Sequence, residues 1–169
     1  MSNLQVRDAL ERARRLFRER PSAAKKSVQA TAVWHDGLEC EISGPEGQKV
    51  VTDMAKPMGG GGSRPSPGWL LRASLASCTA TAIAMRAALR GIELRELEVT
   101  VHGETDVRGA VGIDEVSLAL SGMRMAVKIG ADNAPEGTLR EIVEWGATRS
   151  TVSATLREGR AVATEVTVT

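Results

Sequence analysis

The chain has 169 residues with 22 Lys and Arg against 21 Asp and Glu, a net charge of +1, so it has no overall field to draw in nucleic acid or an acidic membrane. No Tyr and a single Phe leave no stacking platform for single-stranded nucleic acid. Two cysteines make no disulfide framework, and without an apolar leader the expected location is the reducing cytoplasm.

The first element predicted is an amphipathic helix. Leu4, Val6, Leu10, Ala13, Leu16 and Phe17 approximate helical spacing, five arginines lie on or beside the other side, and Pro21 marks the end. Residues 1–22 are therefore expected to form an appended helical extension, and 23–169 a single domain. Alternation then predicts a strand from Ser27 to Trp34, a turn at Asp36-Gly37, a second strand through Leu38, Cys40 and Ile42, and a third from Gln48 to Met54, together a meander. Cys40 reads as a small buried hydrophobe. The segment from Ala55 to Ser63 holds four consecutive glycines, lacks the Lys-Ser/Thr of a phosphate loop, and reads as a mobile lead into the next helix.

The organising stretch is Pro65 to Gly91. Ser66 is placed to cap a helix whose first residue, Pro67, needs no donor, and Gly91 offers a left-handed stop. Between Arg72 and Arg86 the run is uncharged and apolar in every direction, which predicts burial on several sides. It spans about 13 residues, whereas a membrane helix needs about 20, so no membrane span is expected. A chain of this length is short for wrapping such a helix alone, and a partner subunit is expected.

Beyond the helix, Leu97, Val99 and Val101 alternate as a half-exposed strand, and a longer β stretch is expected from Ile113 to Ile129 with a bulge or bend at Gly122. Two helices follow, one near Glu136 to Ala147 and one capped by Ser150 and ending at Gly159, before a closing strand from Ala161 to Val168. This order predicts an α+β fold. Two His and two Cys show no zinc spacing, and no Gly-x-Ser-x-Gly elbow is present. Trp34, Trp69 and Trp145 are expected in a core or an interface, and His102 on an exposed strand.

Two segments resemble the OsmC/Ohr family, the osmotically inducible and organic-hydroperoxide-resistance proteins. The family's central helix opens with Asn-Pro-Glu-x-Leu and reaches a reactive cysteine eight residues after that Leu. Here Ser66-Pro67-Gly68-Trp69-Leu70 reaches Cys78 at the same spacing. The family's Cys-Pro-x-Ser-x-x-Leu is echoed by Ser150-Thr151-Val152-Ser153-Ala154-Thr155-Leu156. The resemblance implies an intertwined homodimer, with antiparallel sheets around a long buried central helix and a thiol pocket at the subunit interface. It also implies reduction of organic hydroperoxides. A thiolate becomes a sulfenic acid, a second cysteine resolves it, a thiol reductant such as dihydrolipoamide regenerates it, and an arginine oriented by a glutamate keeps the thiol ionised.

Position by position, the nucleophile is retained as Cys78, while the glutamate corresponds to Gly68, the arginine to His35 in Trp34-His35-Asp36-Gly37, and the second cysteine to Ser150. A free thiol titrates near ~8.5, so unaided it is mostly protonated at neutral pH. The dipole of its own helix fades within a turn, and Cys78 lies about three turns in. Two functions follow. One is a one-cysteine thiol-dependent peroxidase with Cys78 as nucleophile, Arg64 or His35 as electrostatic helper, Ser150 as hydrogen-bonding neighbour, and an external thiol in place of a resolving cysteine. It uses no metal or cofactor. The other is a catalytically inactive dimeric protein that binds an apolar or thiol-containing small molecule.

Overall fold

The computed structural model describes residues 2–113 and 116–169. In chain order the elements are helix α1 (Asn3–Glu19), strands β1 (Thr31–Trp34), β2 (Cys40–Ser43) and β3 (Lys49–Thr52), helix α2 (Pro67–Leu89), strands β4 (Leu94–Glu104) and β5 (Ser121–Ala131), and helices α3 (Glu136–Arg149) and α4 (Thr151–Glu158). Short 3₁₀ turns lie at Pro21–Ala24, Lys56–Met58 and Gly109–Val111. The mixed α+β order is the one the residue pattern predicts. Two compact units are distinct, one of residues 8–73 and one of 1–7 with 74–169.

In the first unit β1, β2 and β3 form an antiparallel meander, with Trp34 opposite Cys40 and Cys40 opposite Thr52. The Asp36-Gly37 turn closes because the Asp36 carboxylate accepts the Gly37 N–H at 2.8 Å and Gly37 adopts a positive φ. The glycine run that follows is not the unconstrained segment its composition predicts. Asp53, 5% exposed, accepts hydrogen bonds from Met54 N–H at 2.7 Å, Gly61 N–H at 2.8 Å and Gly62 N–H at 3.0 Å. A side chain at residue 60 is excluded, because a Cβ there would sit on the carbonyl of Met54. This buried carboxylate and backbone bonds such as Gly62 N–H to the Met54 carbonyl at 3.0 Å fix the loop, and the glycines are what let the backbone close around Asp53.

The second unit is built on the carboxyl-terminal part of α2. Ile83, Ala87, Ile92, Leu139 and Ile142 form its buried centre, with Leu94, Leu97, Val99, Val127, Ile129 and Val143 packed around them. Strands β4 and β5 pair antiparallel along eleven residues each, with a register shift between His102 and Glu104 where Gly122 takes a positive φ. The bend expected at Gly122 is therefore present. The expected strand from Ile113 is shorter and starts at Ser121; residues 114 and 115 lie outside the described residues. His102 is exposed, as expected.

Helix α2 starts and stops where its sequence says. Ser66 Oγ accepts the Trp69 N–H at 3.2 Å, and Gly91 is left-handed. Its burial is one-sided within this chain: Leu75, Thr79, Ala82, Ile83, Ala87 and Ala88 are covered, while Ser74, Ser77, Thr81, Ala84 and Met85 are exposed at steps of three and four. Thr79 is fully buried, yet among the described residues its Oγ1 has no hydrogen-bond partner. Thr79→Val keeps the shape and removes a desolvated hydroxyl, so a gain of about 1 kcal/mol is expected in urea unfolding. A loss of stability would show that the hydroxyl has a partner.

The closing strand predicted from Ala161 to Val168 is absent. Residues 160–169 form no regular element, and Val162, Val166 and Val168 are almost fully exposed. Alternation supplies a face but not a neighbour, and within this chain that segment has no strand to pair with. Within this chain Trp34 and Trp69 are exposed and Trp145 is partly buried, so of the core and interface positions expected for them the core is not the one Trp34 and Trp69 take.

Candidate functional site

Cys78 and Ser150, far apart in sequence, meet in the second unit. Cys78 projects from α2 and is partly buried. Ser150 is 1% exposed and joins two helices. Its N–H donates to the Gly146 carbonyl at 2.9 Å, ending α3, while its Oγ accepts the Ser153 N–H at 3.3 Å, starting α4. A serine hydroxyl that accepts one bond still has a proton to give. Beside the Cys78 sulfur, that hydroxyl favours the ionised form of the thiol.

Burial, the largest influence on Cys78, pushes its thiol up. The Ser150 hydroxyl and the backbone N–H groups of Val152 and Thr151 outweigh that, and the thiol is held below its ordinary range. Both amides belong to the first turn of α4, where N–H groups have no partner within the helix and the helix dipole is positive. The sulfur thus faces the amino end of a second helix. The dipole of α2 fades before Cys78, whereas that of α4 begins beside it, a neighbour that nothing near Cys78 in sequence shows.

The approach of α3 to α2 positions this cap. A Cβ on Gly146 would stand 2.4 Å from Ile83 Cγ1 and 2.9 Å from the Ile83 backbone nitrogen, so glycine is what permits the contact. Next to it, the guanidinium groups of Arg86 and Arg149 lie 5.2 Å and 5.9 Å from the centre of the Trp145 ring, a cation–π clasp between α2 and the end of α3.

The other two residues singled out from the sequence belong to the other unit. His35 is exposed at the β1–β2 turn, its N–H bonded to the Glu39 carbonyl at 3.2 Å. Arg64 is exposed on the wall of a cleft in that unit. What lowers the Cys78 thiol is a set of neutral donors, with Thr151 and Val152 missed as site residues. Their signal was the same serine cap that located α4: a helix start is also a pair of unfilled amides. Cys40 is a free thiol on β2. Among the described residues there is no group of three or more His, Cys, Asp or Glu placed to hold a metal, and no helix is long and apolar enough to cross a membrane.

The family described as OsmC-like protein matches residues 60–165. No curated protein matches the chain. Its fold is similar to that of an OsmC-like protein from Mycoplasma pneumoniae, with a TM-score of 0.65 at 19% identity, covering 79% of this chain and 89% of that one. It is also similar to an organic hydroperoxide resistance protein OsmC from Legionella pneumophila, with a TM-score of 0.59 at 19% identity, covering 79% and 91%. A third similar fold is an organic hydroperoxide resistance protein from Elizabethkingia anophelis, with a TM-score of 0.59 at 15% identity, covering 79% and 90%.

Proposed function

From the premise that this chain belongs to the OsmC-like protein family, we propose that it is a one-cysteine thiol peroxidase in which Cys78 reduces organic hydroperoxides. The observation that carries the proposal is the set of donors on the Cys78 sulfur. The Ser150 hydroxyl and the first amides of α4 favour the thiolate, which is the attacking form.

In the reaction, the thiolate attacks the terminal oxygen of R–O–O–H and the O–O bond breaks. The alkoxide leaves and takes a proton from water, so the hydroperoxide becomes an alcohol while the sulfur is oxidised by two electrons to a sulfenic acid. A serine at position 150 cannot form a disulfide. An external thiol therefore condenses with the sulfenic acid and releases water, and a second thiol displaces Cys78 and leaves as the reductant's disulfide. Ser150 is a positioning residue for the sulfur, holding it and its oxidised form by a hydrogen bond.

The same reading includes a second copy of the chain. It is supported by the exposed stripe of small and apolar residues on α2, Ser74, Ser77, Thr81, Ala84 and Met85, which lets another backbone come close.

The test is intact mass after brief exposure to cumene hydroperoxide at neutral pH, with sedimentation on the same sample. The expected result is one oxygen added at Cys78, removed again by a small dithiol and absent in Cys78→Ser, in a particle of two chains. If Cys78 stays unmodified under conditions that oxidise a free thiol standard, the peroxidase reading is wrong.

A further inference from the structure

The first unit holds a cleft of about 510 Å³ that the peroxidase reading does not use. Its wall carries Lys56, Arg64 and Arg72, the exposed indole of Trp69, the hydroxyl of Ser66 and one carboxylate, Asp53. Among the described residues, none of the three cations has an ion-pair or hydrogen-bond partner for its side chain. Asp53 is already committed to three backbone N–H groups. Three like charges converging on one cleft repel one another, and that arrangement is relieved when an anion enters.

From this convergence of unpaired cations beside an exposed indole, we propose that the cleft binds a dianionic phosphate group, carried on a small molecule with a flat ring. Against the single carboxylate, the three cations leave two positive charges uncompensated, which matches a phosphate monoester near neutral pH and exceeds what a monocarboxylate supplies. Two guanidinium forks and an ammonium suit phosphate oxygens. Ser66 accepts the Trp69 N–H through Oγ and keeps its own proton to donate, at the amino end of a 23-residue helix whose dipole adds to the attraction. Trp69, 51% exposed, offers its face to a ring attached to the phosphate. A volume of this size is in the range of small-molecule sites.

The experiment is a titration of the full, nitrogen-15-labelled chain followed by the indole N–H signals of its three tryptophans, that of Trp69 being identified by its loss in Trp69→Phe. The probes are phenyl phosphate, inorganic phosphate and phenol. Phenyl phosphate is expected to shift the Trp69 signal saturably at millimolar concentration, leave the Trp145 signal in place, and bind more weakly as salt is raised. Inorganic phosphate is expected to compete with it. Equal affinity for the two phosphates would assign the site to free phosphate, while tighter binding of the ester would assign it to phosphorylated small molecules; both support the phosphate site. Arg64→Gln with Arg72→Gln is expected to weaken binding at least tenfold, and an unmoved signal from Trp34, whose indole N–H donates to the Gly37 carbonyl in the same unit, shows that the variant is folded. The proposal is overturned if phenol shifts Trp69 as phenyl phosphate does, if neither phosphate gives a saturable shift, or if the double variant binds like the parent.

Discussion

Replacing Ser150 with alanine is expected to raise the Cys78 thiol and slow its alkylation at neutral pH about three- to tenfold. A hydrogen bond to a charged group contributes about 1.5–3 kcal/mol, which sets the upper end of that range. The expected fall is smaller than the change in thiolate population, because a more basic thiolate is the better nucleophile once formed. The rate of iodoacetamide alkylation across pH separates the two effects: the midpoint of the profile moves up in Ser150→Ala, while the plateau at high pH does not fall. A midpoint that stays put would mean the two amides of α4 hold the sulfur without the hydroxyl. The same bond appears in stability. The folded state depresses this thiol, so its contribution is fully present above the unfolded value, near ~8.5, and is lost as pH falls through the folded value. The stability difference between the parent and Cys78→Ala therefore widens in favour of the parent as pH rises, and Ser150→Ala flattens that trend. Cys40 is present in every variant and cancels.

The second large effect is expected at Gly146→Ala, for which helix propensity gives the wrong sign. In an exposed helix, glycine to alanine stabilises by about 1 kcal/mol. At position 146 the added methyl overlaps Ile83 Cγ1 and presses on backbone atoms of the same residue, which rotamer changes do not relieve. A loss of about 1–3 kcal/mol in urea unfolding is expected instead. The paired control is Gly137→Ala on the same helix, where a Cβ meets nothing within 4 Å, and a gain of a few tenths to about 1 kcal/mol is expected. Because Ser150 hangs from the Gly146 carbonyl, the first variant is also expected to slow Cys78 alkylation and the second to leave it alone. Normal thiol reactivity in Gly146→Ala would show that α4 holds its place on the sulfur without α3.

Both expectations rest on contacts that the sequence names only in part. The spacing from Leu70 to Cys78 and the serine segment beginning at Ser150 locate the two partners, and the capping serine at 150 locates the start of α4. Neither says that the start of one helix lies against the middle of another. The sequence points to a cation, Arg64 or His35, as the helper of Cys78, because charges are legible in residue types and dipoles only through a fold. Oriented peptide groups do the lowering. The tetraglycine run is a similar case. Read alone it has no preferred conformation, and it is held by the buried Asp53, which collects the Gly61 and Gly62 amides, together with backbone bonds to Met54, Ala55 and Lys56.

By itself the sequence determined everything written within a few residues: the start of α2 at Ser66-Pro67 and its stop at Gly91, the three-strand meander, the bend at Gly122, and the serine cap of α4. These follow from backbone conformations and hydrogen bonds that close over three or four positions. Tertiary structure alone decided which face of α2 stays open, that residues 160–169 form no strand, and that the first amides of α4 come to the Cys78 sulfur. Those outcomes depend on which surfaces come together, and here a missing Cβ at Gly146 lets α3 and α2 approach closely.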